Sequence, residues 1–133
     1  MPKRILDTGR LINFWHSKLQ GGSLDNVTQD MVKGWARELV NLRESNAIVS
    51  PVEVEFLAGA RNGHELELFR AFLAVFEVVD AGHTLPQDWQ KAKQFAQRVP
   101  HDGKRRQMGD CLIKGIAERF KRDVDSPDKR FHH

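Results

Sequence analysis

Asp7 closes the short apolar run Ile5-Leu6 and is followed at once by Thr8 and the helically spaced Leu11, Ile12, Phe14 and Trp15. A buried strand that ends on a carboxylate delivers that group to the sheet edge where open α/β folds bind ligands. Glu55, Asp110 and Asp128 stand at comparable junctions later in the chain. Oxygen ligands without a His or Cys partner at metal spacing are the chemistry of a hard cation, Mg²⁺ or Mn²⁺.

Each acid also has a plainer role. Glu53 lies three residues after Ser50 and reads as its capping-box partner, so it is set apart from the metal candidates. Glu55 is flanked by Val54, Phe56 and Leu57. That places it close to buried surface, where a carboxylate is costly unless it meets a cation. Asp110 opens the run Cys111-Leu112-Ile113 and would suit a helix N-terminus through the dipole. Asp128, in Ser126-Pro127-Asp128, suits a turn, and Asp123 and Asp125 compete with it for the fourth place. Asp7 is the hardest of the four to explain by structure alone.

Other chemistries lack their signatures. No Gly-x-Ser-x-Gly elbow, phosphate loop or dinucleotide fingerprint occurs. None of the six histidines makes a His-x-x-x-His pair, the spacing of a zinc helix. Cys111 falls on the apolar side of a helix, and Trp15, Trp35 and Trp89 fall at helical spacing with other apolar residues, so all four read as core.

The elements that must position the acids alternate. A strand over 4–7 leads into a helix through Trp15. Thr28 caps a second helix to about Leu42, with Met31, Val32, Trp35, Leu39 and Leu42 on one stripe. Ala47-Ile48-Val49 is a strand. Ser50 as N-cap, with Pro51 at the first helical position, opens a helix to about Ala60. Leu66, Phe69, Phe72, Leu73 and Phe76 mark the next helix, and Glu77–Asp80 a third strand. Thr84-Leu85-Pro86-Gln87 opens a helix to about Val99, and Pro100-His101-Asp102-Gly103 is a turn. A helix over 107–121 precedes a last strand near 122–125. Strands alternating with helical crossovers predict a parallel sheet between helices.

At 133 residues the chain is sized for a single domain with one core. With 40% hydrophobic and 29% charged residues, it is expected to fold as a soluble globular domain. No apolar stretch is long enough for a membrane span, and the start Met1-Pro2-Lys3-Arg4 predicts no signal peptide. A single cysteine cannot build an intrachain disulfide and suits a reducing cytoplasm. The net charge of +3 is modest, but Lys104, Arg105, Arg106, Lys114, Arg119, Lys121, Arg122, Lys129 and Arg130 crowd the C-terminal third. Basic charge around an acidic centre is what a nuclease needs to hold a polyanion. A solvated helix face gives the same pattern.

The order of these pieces resembles the PIN-domain ribonucleases, most closely the VapC-type toxins of bacterial toxin–antitoxin pairs. The resemblance covers nearly the whole chain. It rests on Ile5-Leu6-Asp7-Thr8, on Val49-Ser50 with Glu55-Phe56-Leu57-Ala58-Gly59-Ala60, on Gly109-Asp110-Cys111-Leu112-Ile113, and on Ser126-Pro127-Asp128 with Phe131. It implies a three-layer α/β/α sandwich and a metal-dependent endoribonuclease, with Asp7, Glu55, Asp110 and Asp128 as the Mg²⁺ or Mn²⁺ ligands. Converging carboxylates cannot all stay ionised without a cation between them. Thr8 would orient a carboxylate or bound water, and Arg10, Arg106 and Lys114 would contact phosphate. A small antitoxin protein and a homodimer are the implied partners. Gly9 stands where the family usually has Asn or Ser, Lys114-Gly115 replaces a smaller apolar pair, and the family's final strand is expected to be shortened or absent. These departures keep open a catalytically weak PIN-like module that binds RNA or protein. A structure-specific DNA nuclease would use the same acids.

Overall fold

A computed structural model describes residues 3–98 and 103–128. Among them, the chain runs β1 (Ile5–Leu6), α1 (Thr8–Leu19), α2 (Gln29–Arg43), β2 (Ala47–Ile48), α3 (Ser50–Ala58), α4 (Gly63–Leu73), β3 (Glu77–Val78), α5 (Pro86–Ala96), α6 (Met108–Arg119) and β4 (Val124–Asp125). The four strands form one all-parallel sheet in the order β3-β2-β1-β4. Ile5 is in register with Ala47 and Val124, and Leu6 with Asp125. The mixed α/β class expected from the alternation is therefore observed. No described helix is long and apolar enough to cross a membrane.

Strand order decides where a site can form. The chain leaves β1 towards β2 and β3, then returns to place β4 on the other side of β1. Connections that diverge from neighbouring parallel strands leave a crevice beyond their carboxyl ends. Asp7 follows β1, and Ser126-Pro127-Asp128 follows β4, so both segments open into that crevice.

The core forms where apolar faces of the helices meet the sheet. Ile5, Leu6, Ala47 and Ile48 are fully buried, as are Leu11, Val32, Val52, Phe72 and Ile116. Trp15 meets Phe69 edge-on with ring centroids 4.9 Å apart, and Trp35 at 5.4 Å. Such edge-to-face pairs add about 1 kcal/mol each beyond the area they bury. The α5–α6 pair packs closely because Gly115 has no side chain. A methyl there would lie 2.5 Å from the Asp88 carbonyl oxygen. Asp88, fully buried, accepts from Arg119 Nε at 2.7 Å and from the Leu85 N–H at 2.8 Å, tying α5 to the last turn of α6.

Several local expectations are corrected. The buried face of α2 is Val32, Ala36 and Leu39, whereas Met31 and Leu42 are exposed. Trp89 is also exposed, not core. Thr28 does cap α2, its Oγ1 accepting from the Met31 N–H at 3.2 Å. Ser50, however, is not the cap of α3. Val49 holds that place, Ser50 is already helical, and the Ser50 N–H donates to Asp80 Oδ1 at 2.9 Å. A carboxylate thirty residues away in sequence replaces the local capping box with Glu53. Likewise Leu85, not Thr84, precedes α5. That helix ends at Ala96; Val99 and Pro100-His101-Asp102 lie outside the described residues.

Candidate metal centre

Asp7 occupies the N-cap of α1 but makes no side-chain cap hydrogen bond. Its Oδ2 instead accepts from Ser126 Oγ at 2.7 Å. Its Oδ1 is buried and has no hydrogen-bond partner among the described residues. Only 5% of Asp7 is exposed, so an unpaired oxygen here is an unmet demand for a donor or a cation. Burial pushes the Asp7 carboxyl above the ordinary carboxylate range. The Ser126 hydroxyl and the nearby N–H groups of Thr8 and Gly9 pull it down without offsetting that cost, and the Asp128 charge adds to the rise.

The other acids are linked to Asp7 by short bridges. Thr8, next in the chain, donates from Oγ1 to Glu55 Oε1 at 2.7 Å. Glu55 is exposed, contrary to its expected closeness to buried surface, since it lies on the outer side of α3 while Phe56 turns inward. Its carboxylate rests on Gly109, where a methyl would come within 2.5 Å of Oε2. Asp110 follows directly, half-buried in the first turn of α6. The half-buried Asp128 donates its N–H to Ser126 Oγ at 2.9 Å, so one hydroxyl links it to Asp7. Segments from β1, α3, α6 and the β4 end thus approach one crevice. Among the described residues, no group of three or more Asp, Glu, His or Cys side chains stands close enough to hold a metal ion as arranged.

No protein-family model matches this chain, and no curated protein matches it significantly.

The remaining candidates are placed as follows. Arg10 donates from Nε to Asp125 Oδ1 at 3.0 Å, so it is already engaged by a protein carboxylate. Arg106 donates to the Arg98 carbonyl at 2.7 Å and lies over the Phe95 ring, with its guanidinium carbon 4.4 Å from the centroid. Lys114 is half-buried in α6, just before the Gly115 contact. Asp125 and Asp123 take other roles. Asp125 is bound by arginines, and Asp123 is exposed while its carbonyl accepts from the Ile5 N–H at 2.8 Å. Phe131 lies outside the described residues.

Three features were not anticipated. Ser126 joins two acids, and its only sequence signal was its place two residues before Asp128. Pro127 packs against Gly9, whose missing side chain makes the room: a methyl at 9 would sit 3.1 Å from Pro127 Cγ. An apolar cavity of about 370 Å³ adjoins Glu55, with Val54, Met108 and Leu112 in its wall. Val54 and Met108 are exposed at 63% and 74%.

Proposed function

We propose that this chain is a PIN-like three-layer α/β/α domain that hydrolyses RNA phosphodiester bonds with carboxylate-bound Mg²⁺ or Mn²⁺. We read it further as the toxin of a type II toxin–antitoxin pair working in the cytoplasm. The observation that carries this reading is the buried Asp7 carboxylate at the strand-order crevice, with one oxygen unpartnered among the described residues and the other bonded by Ser126, whose hydroxyl also takes the Asp128 backbone N–H. A purely structural acid at an N-cap would bond the helix N–H groups. Asp7 lies near the Thr8 and Gly9 N–H groups, yet its one side-chain hydrogen bond among the described residues comes from Ser126, and the Asp128 charge stands close by.

The donor set fits a hard cation, because Asp7, Glu55, Asp110 and Asp128 offer carboxylate oxygens only. When bound, such an ion supplies charge stabilisation at the scissile phosphate. Asp7 and Asp128 would hold it from the strand ends, and Asp110 and Glu55 from the helical side. Thr8 keeps one Glu55 oxygen occupied and so aims the other. Ser126 fixes the Asp7 plane. The acids would have to draw together on the ion, since no three of them stand close enough among the described residues. The apolar cavity beside Glu55 suits an antitoxin segment that buries apolar side chains and points a basic residue at the acids. A homodimer belongs to the same reading.

A catalytically weak RNA- or protein-binding module is the second reading. It is favoured by Gly9 and by the spread of the acids among the described residues. Cleavage of total RNA with Mn²⁺ or Mg²⁺, beside EDTA and Asp110→Ala controls, tests the first. Discrete fragments that vanish in both controls are the expected result. Folded, antitoxin-free protein that leaves RNA intact and shows no Mn²⁺-induced rise in melting temperature would sink the nuclease and leave the module.

A further inference from the structure

Asp125 ends β4 beside Leu6 of β1 and is buried, with 2% of its side chain exposed. Neighbouring residues in register on parallel strands face the same side of a sheet, and so do residues two apart along one strand. Arg4, Leu6 and Asp125 therefore share a face, which the first turn of α1 and the end of α2 also reach. Arg43 forks onto the carboxylate, Nε to Oδ2 at 2.8 Å and Nη2 to Oδ1 at 2.8 Å. Arg10 adds a bond at 3.0 Å, and Arg4 approaches Oδ2 at 3.5 Å.

One bidentate guanidinium already satisfies a buried carboxylate in charge and in hydrogen bonds. Two more arginines exceed that need. Three cations against one anion leave a net charge of +2 in one cluster. Among the described residues, no other carboxylate pairs with these three. Like charges held this close repel, and the repulsion is relieved by an anion from outside. The three side chains are not sealed off from solvent: Arg4, Arg10 and Arg43 are 49%, 28% and 26% exposed. Their shared anchor also fixes them, so little side-chain freedom is lost on binding.

Position supplies the partner. Arg10 lies three residues after Asp7, and its N–H donates to the Asp7 carbonyl at 3.0 Å. The cluster extends from there along β4, the outer strand of the described sheet, towards Arg4. We propose that Arg4, Arg10 and Arg43, preset by buried Asp125, bind the backbone phosphates of the RNA strand that flanks the acidic crevice. This rests on the nuclease reading for the identity of the polyanion, and the site itself does not need the metal.

The test is fluorescence anisotropy with a labelled single-stranded RNA oligonucleotide in EDTA over a series of KCl concentrations. Arg4→Gln and Arg10→Gln should each weaken binding about threefold to tenfold at low salt. Each should also flatten the slope of log K against log[salt] by about 0.7, the contribution of one phosphate contact on a single strand. Arg4→Lys should restore the slope. Arg4 is half-exposed, so its variants keep the test valid should Arg10→Gln misfold. Unchanged slopes in both glutamine variants, or wild-type protein that does not bind the RNA, would overturn the proposal. Mn²⁺-induced stabilisation of wild-type protein is read separately. Its absence with the slope change intact would remove the nuclease reading and leave the phosphate surface standing.

Discussion

Asp7 and Asp125 end neighbouring strands, and the Asp7 N–H donates to the Asp125 carbonyl at 3.0 Å. Both side chains are buried, yet they meet opposite fates. Asp125 is held below the ordinary carboxylate range: burial opposes its charge, but the Arg43 and Arg10 bonds outweigh that cost. Among the described residues Asp7 has no cationic partner and keeps one oxygen unpartnered, and burial pushes its pKa up. The fold therefore neutralises one of two adjacent buried acids with its own arginines and leaves the other with one oxygen unpartnered among the described residues. Burial of a charged group alone is not what separates the two acids; the presence of arginine partners is.

The contrast breaks most visibly at Asp125. Asp125→Asn should destabilise the protein by about 3–5 kcal/mol, because it strands half-buried guanidinium groups without their anion. Urea unfolding measures this, and a loss below about 1 kcal/mol would mean that the arginines relax freely into solvent. The next effect is at Thr8. Thr8→Val removes the hydroxyl that positions Glu55 and should lower Mn²⁺ affinity about tenfold, read by titration calorimetry, with the fold intact.

Asp7→Asn should do the reverse of Asp125→Asn. In EDTA at neutral pH it should stabilise the protein modestly, because the amide removes a buried charge that has no cationic partner among the described residues, while abolishing any Mn²⁺-induced gain. The pH dependence follows from the direction of each shift. Asp7 is raised in the folded state, so its favourable contribution is complete at acid pH and is lost as pH rises through the raised value. Asp125 is lowered, so its contribution holds at neutral pH and is lost as pH falls through the lowered value. Metal-free melting curves from pH 4 to 8 should thus show Asp7→Asn gaining on wild type as pH rises. An advantage that shrinks with rising pH would contradict the assignment. The smallest effect is at Ser126. Ser126→Ala removes a bond that lowers the Asp7 pKa, so the midpoint of that gain should move to higher pH.

Much of the contrast was legible one residue at a time, but not as pairs. Asp7 could be singled out because a strand end, a carboxylate and a helix start are contiguous in the chain. Thr28 was readable as a cap because its acceptor and donor are three residues apart. The Ser50 cap was misread because Asp80 reaches that N–H from the end of another strand. Asp125 was weighed as a fourth metal acid because Arg4, Arg10 and Arg43 are scattered along the chain, and only the β1–β4 register gathers them. Met31 and Leu42 were assigned to the buried stripe by spacing, although the α2 face is centred one position away, on Val32, Ala36 and Leu39. Strands of two residues each carry almost no periodic signal, so order and register had to come from the fold.

The contact between Gly9 and Pro127 has a consequence for how this chain can vary. A side chain at 9 and a ring at 127 compete for one space, with a methyl already 3.1 Å from Pro127 Cγ. A larger residue at 9 asks the Pro127 ring to give by a few tenths of an ångström, and a smaller residue at 127 removes that demand. The start of α1 and the turn that carries Asp128 therefore limit each other's side-chain size.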